Sequence, residues 1–283
     1  IFGDSTMRLA SRFAPNAHQL RANSPLSDDQ IARVAPSIFA TEKHESRSDR
    51  YTYIPTIEVL NGLRGAGFQP FMVAQTRVRD AGKREHTKHM IRLRHADQII
   101  GAEADEIILL NSHDGTSSYQ MIAGQFRFVC ANGMVCGETA SEIRVPHKGK
   151  IVDDVIQGAF DVLDGFQYIR EVKGEMKSLT LSRGEQEAFA TAALQLKYEP
   201  SDVKPAPVTE TQILEARRFE DRKDDLWTTF NRLQENLIQR GGLPGRTASG
   251  RTTRTRPVEG IDQNVKLNRA LWTLTEAMAA LKK

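Results

Sequence analysis

The chain has 283 residues, 39% of them hydrophobic, and 39 lysines and arginines against 36 acidic residues, enough to bury a sizeable core in one or two domains. No apolar run reaches the length of a bilayer-spanning helix and no signal-peptide stretch opens the sequence, so no membrane partner is expected and the cytoplasm is the expected compartment. A formal charge of +3 does not mark a nucleic-acid binder by itself, so that reading rests on where the charge sits.

Residues 1–50 read as an N-terminal arm and helix, with Met7 the expected natural start. Ser27 and Gln30 have capping-box spacing and open a helix expected to run through Phe39. Residues 51–197 read as an α+β core. Pro55 suits the first turn of a short helix in which Ile57, Leu60 and Leu63 recur, and Gly65 and Gly67 stop the pattern. Strands are expected over Phe68–Arg79 and Lys88–His95, with Asp80, Gly82 and Lys83 as turn residues. Alternation puts Arg77 and Arg79 on one face of the first strand and Lys88, Arg92 and Arg94 on one face of the second, opposite His89, Ile91 and Leu93. With Lys83 and Arg84 in the connection and only Asp80 and Glu85 against them, the hairpin forms a basic ribbon. Such a ribbon binds a polyanion with steep salt dependence, through counterion release. The plainer alternative is a solvated hairpin whose charges discourage edge pairing.

Asp105–Asn111 is a short apolar strand and Asn111–Gly115 a turn-rich loop. A further strand, Tyr119–Cys130, carries Phe126, Phe128 and Cys130 on one face and Gln125, Arg127 and Val129 on the other, so Arg127 is expected to join the ribbon. Asn132-Gly133 is a hairpin-turn signal and makes the sheet antiparallel. Ile151–Lys177 has helical periodicity and is expected to cross the sheet as one long helix, preceded by Lys148 and Lys150, where a basic groove would continue. Ser182 and Glu185 set a second capping box for a helix through Leu196. Residues 198–283 read as a mainly helical region: a proline-containing linker to Val208, a helix over Thr209–Arg240 and a terminal helix over Asn264–Lys283. Between these helices, residues 241–260 read as a flexible basic loop, with Arg246, Arg251, Arg254 and Arg256 and no acid before Glu259.

Little in the sequence points to catalysis. Cys130 and Cys136 read as buried thiols and do not make a zinc site. His86 and His89 fall on opposite faces of a strand; His89 reads as a core or sheet-face residue, and His113 as one that holds its loop by hydrogen bonds. A metal-dependent nuclease would draw on Asp153, Asp154, Asp161, Asp164 and Glu171 with Lys173, but their spacing is that of the polar face of an amphipathic helix. There is no GxxxxGK[ST] loop and no G-x-S-x-G elbow. No enzyme activity, metal or cofactor is expected.

The stretch NSHDGTSSYQMIAGQFRFVCANGMVCG, Asn111–Gly137, with KHMIRLRH before it and LNRALWTLTEAM near the end, resembles a family of bacterial plasmid and prophage proteins known as domain of unknown function nine-three-two. That resemblance covers most of the chain and implies residence on mobile elements. The order of elements from about Tyr51 to Lys177 is also similar to the single-strand annealing recombinases of the Rad fifty-two superfamily, although four or five strands are counted here where that β-β-β-α core has three. Those proteins form rings that hold one DNA strand by its backbone along a basic groove, leaving its bases free to pair. The expected molecule is therefore α+β, a twisted antiparallel sheet crossed by a long helix, with a mainly helical C-terminal region. It is expected to act as an ATP-independent single-stranded DNA-binding and annealing protein, a homo-oligomeric ring serving recombination or mobile-element maintenance. Arg77, Arg79, Lys83, Arg84, Lys88, Arg92, Arg94, Arg127, Lys148 and Lys150 are the expected contacts. Aromatics are sparse on that face, which favours backbone tracking over base stacking. The rival reading from another class is a protein-binding antagonist of restriction or host defence, marked by an exposed apolar patch.

Overall fold

The computed structural model describes residues 19–40, 55–76, 86–95, 99–100, 103–113, 119–128, 132–136, 142–145, 151–199 and 205–282. Its architecture is α+β: a curled antiparallel sheet built before residue 146, then helices to the C-terminus. Strands β1 (Gln19–Arg21), β2 (Phe68–Gln75), β3 (His89–His95), β4 (Ile99–Ile100), β5 (Glu103–Asn111), β6 (Tyr119–Arg127), β7 (Asn132–Val135) and β8 (Glu142–Val145) form one sheet. Its order is β1-β2-β3-β5-β6-β7, with β4 on β5 and β8 on β6.

Helix α1 (Asp28–Val34) opens where the capping box places it: the Ser27 hydroxyl accepts from the Gln30 amide and Gln30 Oε1 accepts from the Ser27 amide. It does not run to Phe39, because Pro36 has no amide hydrogen to continue it; a 3₁₀ turn over Pro36–Phe39 follows. Helix α2 (Thr56–Gly65) buries Thr56, Val59, Leu60 and Leu63 and leads into β2. The hairpin after β6 forms, but Asn132-Gly133 is not its turn. Arg127 pairs with Asn132 and Phe126 with Gly133, so both residues lie in β7, and a residue without a side chain stands opposite the Phe126 ring.

The expected helix from Ile151 is two, α3 (Ile151–Asp164) and α4 (Phe166–Ser178), separated at Gly165, whose poor helix propensity makes it the weak point of the run. α3 meets the sheet at a glycine: a Cβ on Gly158 would lie 2.4 Å from Met121 Cε of β6, so a larger residue would have to displace the end of that side chain. Helix α5 (Arg183–Lys197) begins with the predicted capping box between Ser182 and Glu185. The expected single helix over Thr209–Arg240 is instead α6 (Glu210–Leu214), a 3₁₀ turn (Phe219–Arg222), and α7 (Leu226–Gln234) continued by a π turn (Glu235–Gln239). One N-cap opens this span and a second falls inside it: the Thr209 hydroxyl accepts from the Gln212 amide, and Asp225 Oδ1 accepts from the Thr228 amide at 2.8 Å, which starts a new helix. Every residue of α7 is buried, and Trp227 and Phe230 pack on Trp272 of the final helix, α8 (Ile261–Leu281), at ring distances of 6.3 and 5.9 Å.

The chain separates into two compact units, one of Ile1–Leu93, Leu109–Gln120 and Val145–Ile156, the other of Arg94–Ile108, Met121–Arg144 and Gln157–Lys283. Among the described residues no helix is long and apolar enough to cross a membrane.

Candidate functional site

Of the ten residues expected on the basic face, Arg77, Arg79, Lys83, Arg84, Lys148 and Lys150 lie outside the described residues. Lys88 is half-buried. Arg92 and Arg94 are not on an open face: they are 2% and 1% exposed. The physical reason is that β3 lies between β2 and β5 with both of its faces buried, which alternation along a single strand does not reveal. Arg94 donates through Nε and NH2 to Glu106 Oε1 at 2.9 and 2.8 Å, and its guanidinium lies 4.3 Å from the Phe126 ring centroid. Arg127 is also committed within the protein: its NH1 donates to Asp221 Oδ1 at 2.6 Å. Asp221 in turn accepts from Arg218 at 2.8 Å, and Glu235 pairs with both Arg218 and Arg240. Nearby, burial raises the Asp105 carboxyl above its ordinary value, against the hydrogen bond from Gln125 and the charge of Arg170.

Open basic surface is found in residues 241–260. These are not a flexible loop but carry a hairpin of β9 (Pro244–Arg246) and β10 (Thr252–Arg254). Its turn is closed by Thr247 N to Arg251 O at 2.9 Å and Gly250 N to Thr247 O at 2.8 Å, with Gly250 at a φ of 79°. Below the strands, Gly242 N donates to Thr255 O and Thr255 N to Leu243 O, at 2.8 and 3.0 Å. Direct cross-strand partners share a face, so the pairs Arg246–Thr252 and Pro244–Arg254 put Arg246 and Arg254 on the same side. The opposite side is pressed on the backbone: Arg246 N donates to Pro207 O at 3.0 Å, and a Cβ on Gly245 would sit 2.1 Å from that oxygen. Glycine at 245 thus seats the hairpin and turns the two arginines outward. Arg246, Arg251, Arg254 and Arg256 are all exposed. Lys197 fastens the far end, donating to the carbonyls of Leu237 and Arg256.

The two segments of the resemblance around His89 and His113 converge elsewhere, in a buried polar network. Ser37 Oγ donates to Gln75 Oε1 at 2.8 Å. A hydroxyl has one hydrogen, so at the 2.8 Å contact with Ser37 Oγ it is His89 Nδ1 that donates. In the neutral ring His89 Nε2 then accepts from Thr56 Oγ1 at 2.9 Å. Thr56 Oγ1 in turn accepts from Asn111 Nδ2 at 3.0 Å and from His113 Nε2 at 3.2 Å. Donation runs one way, from His113 through Thr56 and His89 to Ser37 and Gln75. Ser37, Thr56, His89, Asn111 and His113 are all 0% exposed, so these groups lock α2 to the strands and face no solvent. His113 holds its loop by hydrogen bonds as expected; Ser37, Thr56 and Gln75 carried no signal at the sequence level, since a lone hydroxyl or amide has no period. Among the described residues no group of three His, Cys, Asp or Glu is placed to hold a metal; Cys136 is buried, and Cys130 lies outside the described residues.

A family model described as Domain of unknown function (DUF932) matches residues 43–272, a span that holds His89, Asn111, His113 and the basic hairpin. The chain is 56% identical over 271 residues to the UPF0380 protein YafZ and to the UPF0380 protein YfjQ, both of Escherichia coli (strain K12), covering 96% of this chain and 97% of each relative. No solved structure matches the chain. On these matches, which take in nearly its whole length, the chain belongs to the DUF932 family.

Proposed function

We propose that this protein binds single-stranded DNA and anneals complementary strands without ATP, in the recombination or maintenance of a plasmid or prophage. The observation that carries the reading is the hairpin: four exposed arginines on one ordered element, with no carboxylate between residues 241 and 258. Arginine suits phosphate because its planar fork keeps donors free even when one N–H is used internally. Arg246 NH1 reaches Gly250 O at 3.3 Å and Arg254 NH1 reaches Gly242 O at 2.9 Å, which aims both side chains. Holding a strand by its backbone leaves the bases free to pair, as in the annealing proteins of similar element order, and ring assembly belongs to the same proposal.

The test is a titration of fluorescent oligo-dT over a salt series, with molecular mass followed on the same sample. Four phosphate contacts on a single strand predict a slope of log K against log salt of about −3, from roughly −0.7 per phosphate. Reversing Arg246 and Arg254 to glutamate should weaken binding and flatten that slope, with the melting temperature lowered only slightly, because each exposed side chain gives up one hydrogen bond within the hairpin. No binding by the unaltered protein at low salt would overturn the proposal and leave the protein-binding reading in its place.

A further inference from the structure

We infer that the exposed ring of Phe219 is a stacking platform for a nucleobase of the strand whose phosphates the hairpin holds, so that this surface takes single-stranded nucleic acid in preference to duplex. The inference rests on the proposed reading of the hairpin. Phe219 is 79% exposed; among the described residues the other large apolar side chain so open, Leu281 at 83%, ends the last helix. Phe219 is instead internal, in the 3₁₀ turn Phe219–Arg222, and its surroundings are fixed. Arg218 before it is bound to Asp221 and doubly to Glu235, at 2.6 to 2.8 Å. The Arg222 guanidinium carbon lies over the ring, 5.6 Å from its centroid, a cation–π arrangement that leaves the other face for a base.

The segment that carries the ring is tied to the base of the hairpin by hydrogen bonds of Arg217. Arg217 donates to Asn236 Oδ1 and to Gly241 O, both at 2.6 Å, and Gly242 O, the next carbonyl, accepts from Arg254 of β10. Arg217 and Arg254 therefore end on one dipeptide, and the Cα of Phe219 is at most about 7.6 Å from that of Arg217. The local carboxylates are largely committed. Asp221 is held by Arg127 and Arg218, Asp225 caps α7 and Asp224 accepts from Gln186, which leaves exposed Glu215 and Glu220 against exposed Arg217, Arg222 and Lys223. A single strand offers its π-faces to an aromatic ring whatever its sequence, whereas a duplex must first unstack.

The experiment uses the full chain and two probes, oligo-dT and a blunt duplex with the same number of phosphates, at matched salt. Phe219→Ala should bind oligo-dT about tenfold more weakly, with an unchanged salt slope and unchanged duplex affinity. Phe219→Trp should keep oligo-dT affinity, and its added emission should be quenched by oligo-dT, since Trp227 and Trp272 are buried and supply a steady background. Oligo-dT affinity unaltered by Phe219→Ala, or equal weakening on both probes, would overturn the platform alone. Failure of the unaltered protein to bind either probe would overturn the hairpin reading and the platform with it.

Discussion

A guanidinium at 1% exposure is stable only while its counter-charge stays in place, and Arg94 has Glu106, itself fully buried, to meet that need. The rings of Phe126 and Phe128, with centroids at 4.3 and 5.2 Å, also lie against the guanidinium. Replacing Arg94 by methionine takes this counter-charge from a buried carboxylate and should cost about 3–5 kcal/mol, read as a lowered denaturant midpoint at constant slope. Replacing both partners, Arg94→Met with Glu106→Leu, should recover most of the loss, because an apolar pair of similar volume needs no compensation. A double variant as unstable as the single one would mean that the ion pair is not what holds this part of β3. The same residue marks a limit of sequence reasoning. Period two correctly groups Arg92 with Arg94, but which faces of a strand are covered depends on strands far along the chain.

Local signals fare better at the scale of elements. The capping boxes at Ser27 and Ser182 start their helices at the positions their spacing indicates, because both partners lie within one turn. Asn132-Gly133 misleads, since tolerance of positive φ permits a turn without requiring one. The basic hairpin was hidden because its strands are three residues long and its seat, the Pro207 carbonyl, is remote in sequence. A capping signal also has a pH consequence. Lys282 at the end of α8 donates to both oxygens of Glu185 in the first turn of α5, at 2.9 and 3.0 Å. That hydrogen bond, with those of Ser182, lowers the Glu185 carboxyl from 4.5 to about 2. A depressed folded value stabilises above the unfolded one, so the contribution is complete above about pH 5 and is lost as pH falls through about 2. The difference in melting temperature between the native protein and Lys282→Ala should therefore be constant near neutrality and shrink steadily from about pH 4 to pH 2. A gap as wide at pH 2 as at neutrality would show that Lys282 acts through packing and not through charge.

For the whole molecule, the α+β class was legible in the passage from period two to period 3.6 near residue 150, but the division into units was not, because the second unit joins the segments 94–108 and 121–144 to the chain beyond 157. Within that unit three ion pairs tie the two stretches together: Lys173 with Glu103, Arg170 with Asp105, and Arg127 with Asp221. α7 is the element most dependent on its neighbours. Leu226, Trp227, Phe230 and Leu233 are all under 4% exposed, Lys173 of α4 lies 5.9 Å from the Trp227 centroid, and Leu226 N donates to Leu179 O just after α4. Arg232 donates to Gln186 of α5. A fragment of residues 198–283 would retain the basic hairpin but lose α4, α5 and the sheet, exposing an α7 that is apolar on one side and polar, yet dry, on the other. Burial of four such side chains contributes about 1.5–3 kcal/mol each, comparable with the whole margin of stability of a domain. The fragment should therefore show no cooperative melt and no near-ultraviolet dichroism from Trp227 and Trp272, whereas the full chain shows both. A sharp transition in the fragment would mean that α8 and the hairpin alone suffice to order α7, and the hairpin's nucleic-acid contacts could then be studied on the isolated piece.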